Sequence, residues 1–265
     1  MRIILLCAGF GTRMYPLTKN YPKPLLEVRG KPVVDYLIDQ FVHFNGLELI
    51  QVVTNALFFE QFEGWGDGWR QMLNEHNINI EIYNDGVVAN EFRLGAVGDL
   101  EFVLEQKSQI LGKSLVAAGD MIFSFDLAEI WNKFLSSNRS YVIALNEPDS
   151  EKLKSGAVLD LTDDGKVISY VEKPEEPTSN WYCPPLYFMQ PNSFGHLSIF
   201  RKEYPKLDAP GYFFAYLSRQ TDLYAYKVEG EQIDIGSMED YLQAEKILTA
   251  WEAEGKPNFQ DAHCA

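Results

Sequence analysis

Apolar and polar positions fall into blocks along the chain, and their period changes from one block to the next. Residues 2–7 are a short apolar run ending in Ala8-Gly9-Phe10-Gly11, the pattern of a buried strand that stops in a glycine turn. Over 33–44, Val34, Leu37, Ile38, Phe41 and Val42 recur at helical spacing, and 47–54 returns to a buried strand. An aromatic-rich helix over 58–73, a strand over 78–83, a helix over 98–105, a strand over 114–118, a helix over 125–135 and a strand over 141–145 continue the alternation. Strands and helices alternating in this way predict an α/β fold, a Rossmann-like three-layer sandwich with a mainly parallel sheet covered on both faces.

The pattern then changes. Residues 157–161, the turn Asp163-Asp164-Gly165 and residues 167–171 predict an antiparallel hairpin, a small antiparallel subregion beside the parallel sheet. The last third mixes short strands with a final helix over 238–251, whose apolar face is Tyr241, Leu242, Ala244, Ile247, Leu248 and Trp251. No internal repeat, low-complexity tract or clear linker interrupts residues 1–252, so one domain is expected there, with a loose tail over 253–265.

Composition narrows the function classes. A chain of 265 residues with 46% hydrophobic and 14% aromatic positions can bury a full core. Its formal net charge of −15 argues against a general binder of nucleic acid or anionic membrane, which needs basic surface. It allows one nucleotide, provided that the phosphate-binding cations are few and local. The scattered Cys7, Cys183 and Cys264 read as reduced thiols of a cytoplasmic protein. The first apolar run is too short for a signal peptide, and no stretch approaches the roughly 18 apolar residues of a membrane span. Asn138-Arg139-Ser140 matches a glycosylation sequon, which without an export signal has the weight of a chance match.

In an open parallel sheet, ligands bind at the carboxyl ends of the strands. After the first strand, Gly9 and Gly11 let the backbone turn and approach a phosphate, while Arg13 offers a forked cation. A G-x-G alone also describes an ordinary tight turn, and Met14 stands where a dinucleotide fingerprint needs its third glycine. Gly112-Lys113-Ser114 imitates the end of a P-loop, but Lys107 replaces the glycine and the segment precedes a strand, so it is rejected. In Pro22-Lys23-Pro24 the prolines stiffen the segment around Lys23; alone this is more often a solvated turn, but beside the glycine loop it becomes a second phosphate cation. Asp120 comes after Ala118-Gly119 at a strand end, placed to hold a hard cation such as magnesium, and Asp234, between Ile233 and Ile235, is a second candidate. Read singly, each aspartate is more readily a helix cap or salt-bridge partner. Glu172 and Lys173 end the hairpin, where they are either exposed strand-end charges or groups that hold a sugar phosphate.

Together these residues resemble the sugar-phosphate nucleotidyltransferases. Leu6-Cys7-Ala8-Gly9-Phe10-Gly11-Thr12-Arg13-Met14-Tyr15-Pro16-Leu17-Thr18 is similar to that family's signature loop, and Pro22-Lys23-Pro24-Leu25 comes next at the usual interval. Asn90-Glu91-Phe92-Arg93-Leu94-Gly95-Ala96, Gly119-Asp120, Glu172-Lys173-Pro174 and Asp234-Ile235-Gly236 then occur in the family's order. The resemblance covers roughly 1–250. It implies a nucleotide-binding half over 1–145, with Leu6, Ala8, Gly9, Gly11, Thr12, Arg13, Lys23, Asn90 and Gly95 at the nucleotide. It implies a sugar-phosphate half over 146–252, with Gly156, Glu172, Lys173, Cys183 and Tyr187 at the acceptor. Magnesium would lie on Asp120 and Asp234, and Arg13, Lys23, Asp120, Lys173 and Asp234 would carry the chemistry. The implied partners are a nucleoside triphosphate and a sugar 1-phosphate such as glucose 1-phosphate, joined by direct displacement with release of pyrophosphate.

Three departures bear on that expectation. Cys183-Pro184-Pro185 stands where Asn-Ala-Gly or Asn-Thr-Gly is common beside the sugar, which opens the identity of the acceptor. Ala96-Val97-Gly98 replaces the commoner Thr-Ala-Gly, which opens the choice of base. No hexapeptide repeat is present, so no fused β-helix is expected. Two rival readings are a cytidylyltransferase for a non-sugar phosphate such as phosphocholine and a non-catalytic nucleotide-sugar-binding homologue. The Glu172-Lys173-Pro174 motif favours a sugar over the first, and the complete set of cations and aspartates weighs against the second. A homo-oligomer is compatible with the sequence, although Trp65, Trp69 and Tyr212 to Tyr216 read as core rather than interface. Asp208-Ala209-Pro210-Gly211 reads as a plain turn more readily than as a loop beside the sugar.

Overall fold

The structure, a computed structural model, describes residues 1–106 and 112–256. Lys107, Cys264 and the tail beyond Lys256 lie outside the described residues. Along the chain come β1 (Arg2–Leu6), β2 (Glu27–Val28), β3 (Lys31–Pro32), α1 (Asp35–Phe41), β4 (Leu49–Thr54), α2 (Phe59–Glu75), β5 (Asn79–Asn84) and α3 (Gly95–Gln106). Next are β6 (Ser114–Ala118), β7 (Met121–Phe123), α4 (Leu127–Leu135), β8 (Ser140–Asn146), α5 (Ser150–Ser155), β9 (Ala157–Leu161) and β10 (Val167–Glu172). The last are β11 (Trp181–Cys183), β12 (Leu186–Met189), α6 (Leu197–Glu203), α7 (Pro210–Gln220), β13 (Leu223–Val228), β14 (Gln232–Asp234) and α8 (Met238–Ala253). The architecture is the expected α/β class, a large, mainly parallel sheet that also carries antiparallel strands.

The chain forms two compact units, both discontinuous in sequence. The first takes in Met1–Ile4, Leu94–Ala117 and Asn132–Glu229. Here β13 runs parallel to β8 along one flank. The opposite flank of β8 is shared by β12 near its start and β11 near its end, both antiparallel. β11 also pairs with β9, and β9 with β10, while β12 pairs with β6. The predicted hairpin is therefore β9–β10, with Gly165 at φ 82° in the turn. The short helix α5, before the hairpin, and the helices α6 and α7, in a last third read as short strands with a final helix, were not expected. Tyr212, Phe213 and Phe214 have strand propensity, but Pro210 at the first helical position starts α7, and Phe213 and Phe214 are buried against Phe200 and Tyr187.

The second unit takes in Leu5–Arg93, Ala118–Trp131 and the described residues from Gly230 on. β4 and β5 pair in parallel, with α2 packed on β5. Trp65 and Trp69 of α2 both donate their indole N–H to Asp35 Oδ1 of α1, at 2.7 and 3.0 Å. These tryptophans thus join two helices within the unit. The final helix, α8, starts on a Ser237 cap and buries Ala244, Leu248 and Trp251 in a cluster with Met14, Leu26, Val33, Ile233 and Ile235. Among the described residues no helix is long and apolar enough to cross a membrane.

Candidate active site

In the second unit the loop after β1 is built to leave backbone exposed. The Cys7 N–H bonds Val53 O of β4 at 2.9 Å, so the chain leaves the sheet directly after that pairing. Nothing lies within 4 Å of the place a Gly9 side chain would take, and Gly9 is exposed. Gly11 is left-handed at φ 61°, a conformation that favours glycine, and initiates a 3-10 turn over Thr12–Met14. Its carbonyl accepts from the Met14 N–H at 2.9 Å and from Thr18 Oγ1 at 2.7 Å. Thr12 and Arg13 project from this turn into solvent, whereas Leu6 is half-buried and Ala8 buried.

Asn55, fully buried just past the end of β4, holds the same loop from beneath. Its Nδ2 donates to Ala8 O at 2.9 Å and its Oδ1 accepts from the Phe58 N–H at 3.1 Å. Thr18 closes the signature loop read from the sequence, whereas Asn55 does not stand out in the sequence pattern. For Asn55 a signal exists: it is the first residue beyond a buried parallel strand, at the carboxyl end where ligand sites are built.

Lys23 opens a second 3-10 turn, Lys23–Leu25, entered through an extended Pro22. Its ammonium forms an ion pair with the Asp120 carboxylate. Burial alone would lower the Lys23 pKa, but the charges of Asp120 and Asp234 outweigh it and hold the ammonium above its usual range. Asp120 reaches this position because Gly119 packs against Cys7, where any Cβ would collide with Sγ, and because the Gly119 N–H bonds Leu6 O at 3.2 Å. The buried thiol of Cys7 is thus a packing surface.

Asp234 arrives from far along the chain. β14 pairs antiparallel with β7, setting Asp234 opposite Met121, and the Ile235 N–H donates to Asp120 O at 3.1 Å. Surrounding protein and then the Asp120 charge push the Asp234 carboxyl up to about 6, against the opposing pull of Lys23 and Arg13. Lys23, Asp120 and Asp234, with Arg13 acting on them electrostatically, therefore form one charged cluster. Asn90 belongs to the same unit, in a 3-10 turn over Asn90–Phe92 that exposes Phe92.

The remaining predicted residues lie in the first unit. Ala157 of β9 is paired with Glu172 on one side and Cys183 on the other, which puts these three on one face. Lys173 comes next at φ 50°, a left-handed conformation that costs a non-glycine residue about 1–3 kcal/mol. Its N–H is held by Gly156 O at 2.8 Å. Burial raises the Glu172 carboxyl above its usual range, and the Lys173 charge only partly opposes this. Cys183 and Tyr187 are buried behind it, the thiol pushed up to about 12 by desolvation and the Tyr187 ring stacked on Phe214 at 3.7 Å. They back the Glu172 face rather than forming an exposed surface. Gly156 packs against Tyr182, whose hydroxyl would lie 2.6 Å from a Cβ there. Gly95, at φ 74°, is seated on Asp208, whose Cα would lie 3.1 Å from a Cβ. Lys113 donates to the carbonyls of Phe134, Leu135 and Ser137 at 3.3, 2.5 and 2.6 Å, so the P-loop-like Gly112-Lys113-Ser114 is the C-terminal cap of α4.

Residues 2–250 match the family model described as nucleotidyl transferase. The chain belongs to the nucleotidyl transferase family. Among its relatives, the bifunctional protein GlmU of Methanococcus vannielii is 30% identical over 255 residues, covering 92% of this chain and 54% of that protein. The chain thus spans about half the length of the GlmU relatives it matches. The UTP–glucose-1-phosphate uridylyltransferase AglF of Haloferax volcanii is 27% identical over 252 residues, covering 94% of this chain and 96% of the relative. Two solved structures share the fold at 19% identity. One is a glucose-1-phosphate thymidylyltransferase from Bacillus anthracis (TM-score 0.78; 93% of this chain, 94% of that one). The other is UDP-glucose pyrophosphorylase complexed with UDP-glucose (TM-score 0.76; 94% and 98%). In this nucleotidyl transferase, the glycine loop with its charged cluster lies in the second unit and the Glu172 face in the first.

Proposed function

We propose that this chain transfers a nucleoside monophosphate from a nucleoside triphosphate to a sugar 1-phosphate, a hexose 1-phosphate such as glucose 1-phosphate, releasing pyrophosphate. The observation that carries the reading is the cluster of Lys23, Asp120 and Asp234 beside an exposed glycine loop. Gly9 and Gly11 let the loop backbone approach the nucleotide, together with Leu6, Ala8, Thr12, Asn90 and Gly95. Arg13 and Lys23 neutralise phosphate oxygens, and Glu172, Lys173 and Gly156 receive the acceptor, backed by Cys183 and Tyr187.

Both reactants are anions, so the protein's task is to offset repulsion and align them. An oxygen of the sugar phosphate attacks the α-phosphorus, the new P–O bond forms, and the bond from that phosphorus to the bridging oxygen of pyrophosphate breaks. The leaving group takes the electron pair. The acceptor is already ionised, so neither a general base nor a protein nucleophile is required.

The donor set fits magnesium. Asp120 and Asp234 are hard oxygen donors; burial first, and then the Asp120 charge, hold the Asp234 carboxyl up to about 6, and a divalent cation would relieve both. Magnesium characteristically takes one or two carboxylates and completes its shell with phosphate and water oxygens. When bound, it would supply charge neutralisation on the phosphates. A cytoplasmic setting, where triphosphates and sugar phosphates are available, accords with this reading.

The decisive assay measures pyrophosphate release with the four ribonucleoside triphosphates and dTTP against a panel of phosphate acceptors. Release with a sugar phosphate supports the proposal; release with phosphocholine alone moves the acceptor to a non-sugar class; no release with any pair defeats it. A nucleotidyl-enzyme trapped with labelled triphosphate would rule out direct displacement.

A further inference from the structure

Gly211 is the second residue of α7, directly after Pro210, and its φ is not left-handed. Glycine at such a position lowers helix stability relative to alanine, so backbone freedom does not explain it. Space does. A Cβ on Gly211 would collide with Glu172 Oε2 and lie 2.6 Å from Cδ and 3.4 Å from Cγ. We infer that Gly211 is a positioning residue for Glu172, its missing side chain being the space in which the carboxyl is held ready for the hydroxyls of a sugar phosphate. The inference rests on the acceptor-binding reading of Glu172 given above.

The surroundings decide which group yields when that space is filled. Backbone pairing with Ala157 at the end of β10 fixes Glu172 at its Cα. The start of α7 is fixed as well. The Val97 N–H donates to Asp208 O at 3.3 Å, the Tyr212 N–H to Ala209 O at 3.2 Å, and Asp208 fills the space over Gly95. Phe214, one turn on, is stacked on Tyr187 at 3.7 Å. Between two anchored backbones, the movable part is the far end of the Glu172 side chain. A methyl group at 211 therefore displaces the carboxyl and leaves the fold in place.

The experiment uses the whole chain with glucose 1-phosphate and an accepted triphosphate, comparing Gly211→Ala, Glu172→Gln, Glu172→Asp and the double variant Gly211→Ala/Glu172→Asp. Gly211→Ala is expected to raise KM for the sugar phosphate roughly tenfold or more, the size of a lost charge-assisted hydrogen bond, while KM for the triphosphate stays within about twofold. Its melting temperature should be unchanged or higher, because alanine is the better helix former. Aspartate is one methylene shorter, so adding Gly211→Ala to Glu172→Asp should cost less than adding it to the parent. Unchanged acceptor KM in Gly211→Ala while Glu172→Gln raises it overturns the role of Gly211, as do equal rises in both KM values. A silent Glu172→Gln overturns the acceptor reading itself. Should Gly211→Ala fail to fold, recovery of the fold in the double variant supports the carboxyl collision, and no recovery refutes it.

Discussion

Lys23 and Asp120 are ion-paired, with Asp234 close enough that its charge helps to keep Lys23 protonated. The pair joins a proline-stiffened turn to the end of β6. One carboxylate of the proposed metal site is therefore already held by an internal cation, and the same ammonium is proposed to meet the triphosphate. Metal and nucleotide should then influence each other through Lys23.

Replacing Lys23 with Met should tighten binding of a divalent cation to the nucleotide-free protein, because Asp120 loses its partner. Manganese titration monitored by electron paramagnetic resonance tests this. The tightening should exceed that of Arg13→Gln, since Arg13 acts on the cluster through its charge while Lys23 holds Asp120 directly. Equal affinity in parent and Lys23→Met would mean that the pair does not compete with metal.

Asp120→Asn should lower turnover by at least roughly a hundredfold, the scale of losing a principal charge-stabilising group. Folding should persist, since the Asp120 backbone carbonyl still accepts from the Ile235 N–H. Circular dichroism melts alongside initial rates separate the two effects. Near-normal rates in magnesium would remove Asp120 from the metal site.

Glu172 carries a pH signature. Its folded-state carboxyl is raised by burial from an ordinary value of 4.5. A carboxyl raised on folding contributes stability that is fully present below that ordinary value and is lost as pH rises through the higher folded one. Glu172→Gln should accordingly be more stable than the parent at neutral pH, with the advantage shrinking as pH falls through the raised folded-state value and gone below about pH 4.5. Thermal melts at pH 4 and pH 7.5 test the sign, and an advantage independent of pH would contradict it.

Asn55→Ala should weaken the glycine loop at its base. It leaves the Ala8 carbonyl and the Phe58 N–H without their side-chain partner in a fully buried place. The Phe58 N–H keeps the backbone carbonyl of residue 55 at 3.3 Å, so the Ala8 carbonyl carries the loss, about 1–3 kcal/mol for a buried group left unsatisfied. Urea denaturation should show a loss of that order. Triphosphate KM should rise as Gly9 and Gly11 lose their support, and a variant as stable as the parent would exclude this role for Asn55.

The sequence by itself determined the α/β class, the strand Ser114–Ala118 to the residue, the β9–β10 hairpin and the order of the charged motifs. These come from hydrophobic period and turn chemistry, which neighbours in the chain carry among themselves. Tertiary structure decided the rest. That β11 and β12 share one flank of β8 depends on long-range pairing that no local period records. Helix α7 forms despite strand-prone aromatics because Phe214 finds Tyr187 to stack on. Asp234 lies beside Asp120 because β14 pairs with β7, and Asn55 lies under the first loop because β4 ends there. The glycines show the division most clearly. The left-handed turn at Gly11 is a matter of local turn chemistry. At Gly211 the reason for glycine is the Glu172 carboxyl, a group distant in the chain that only folding brings into place.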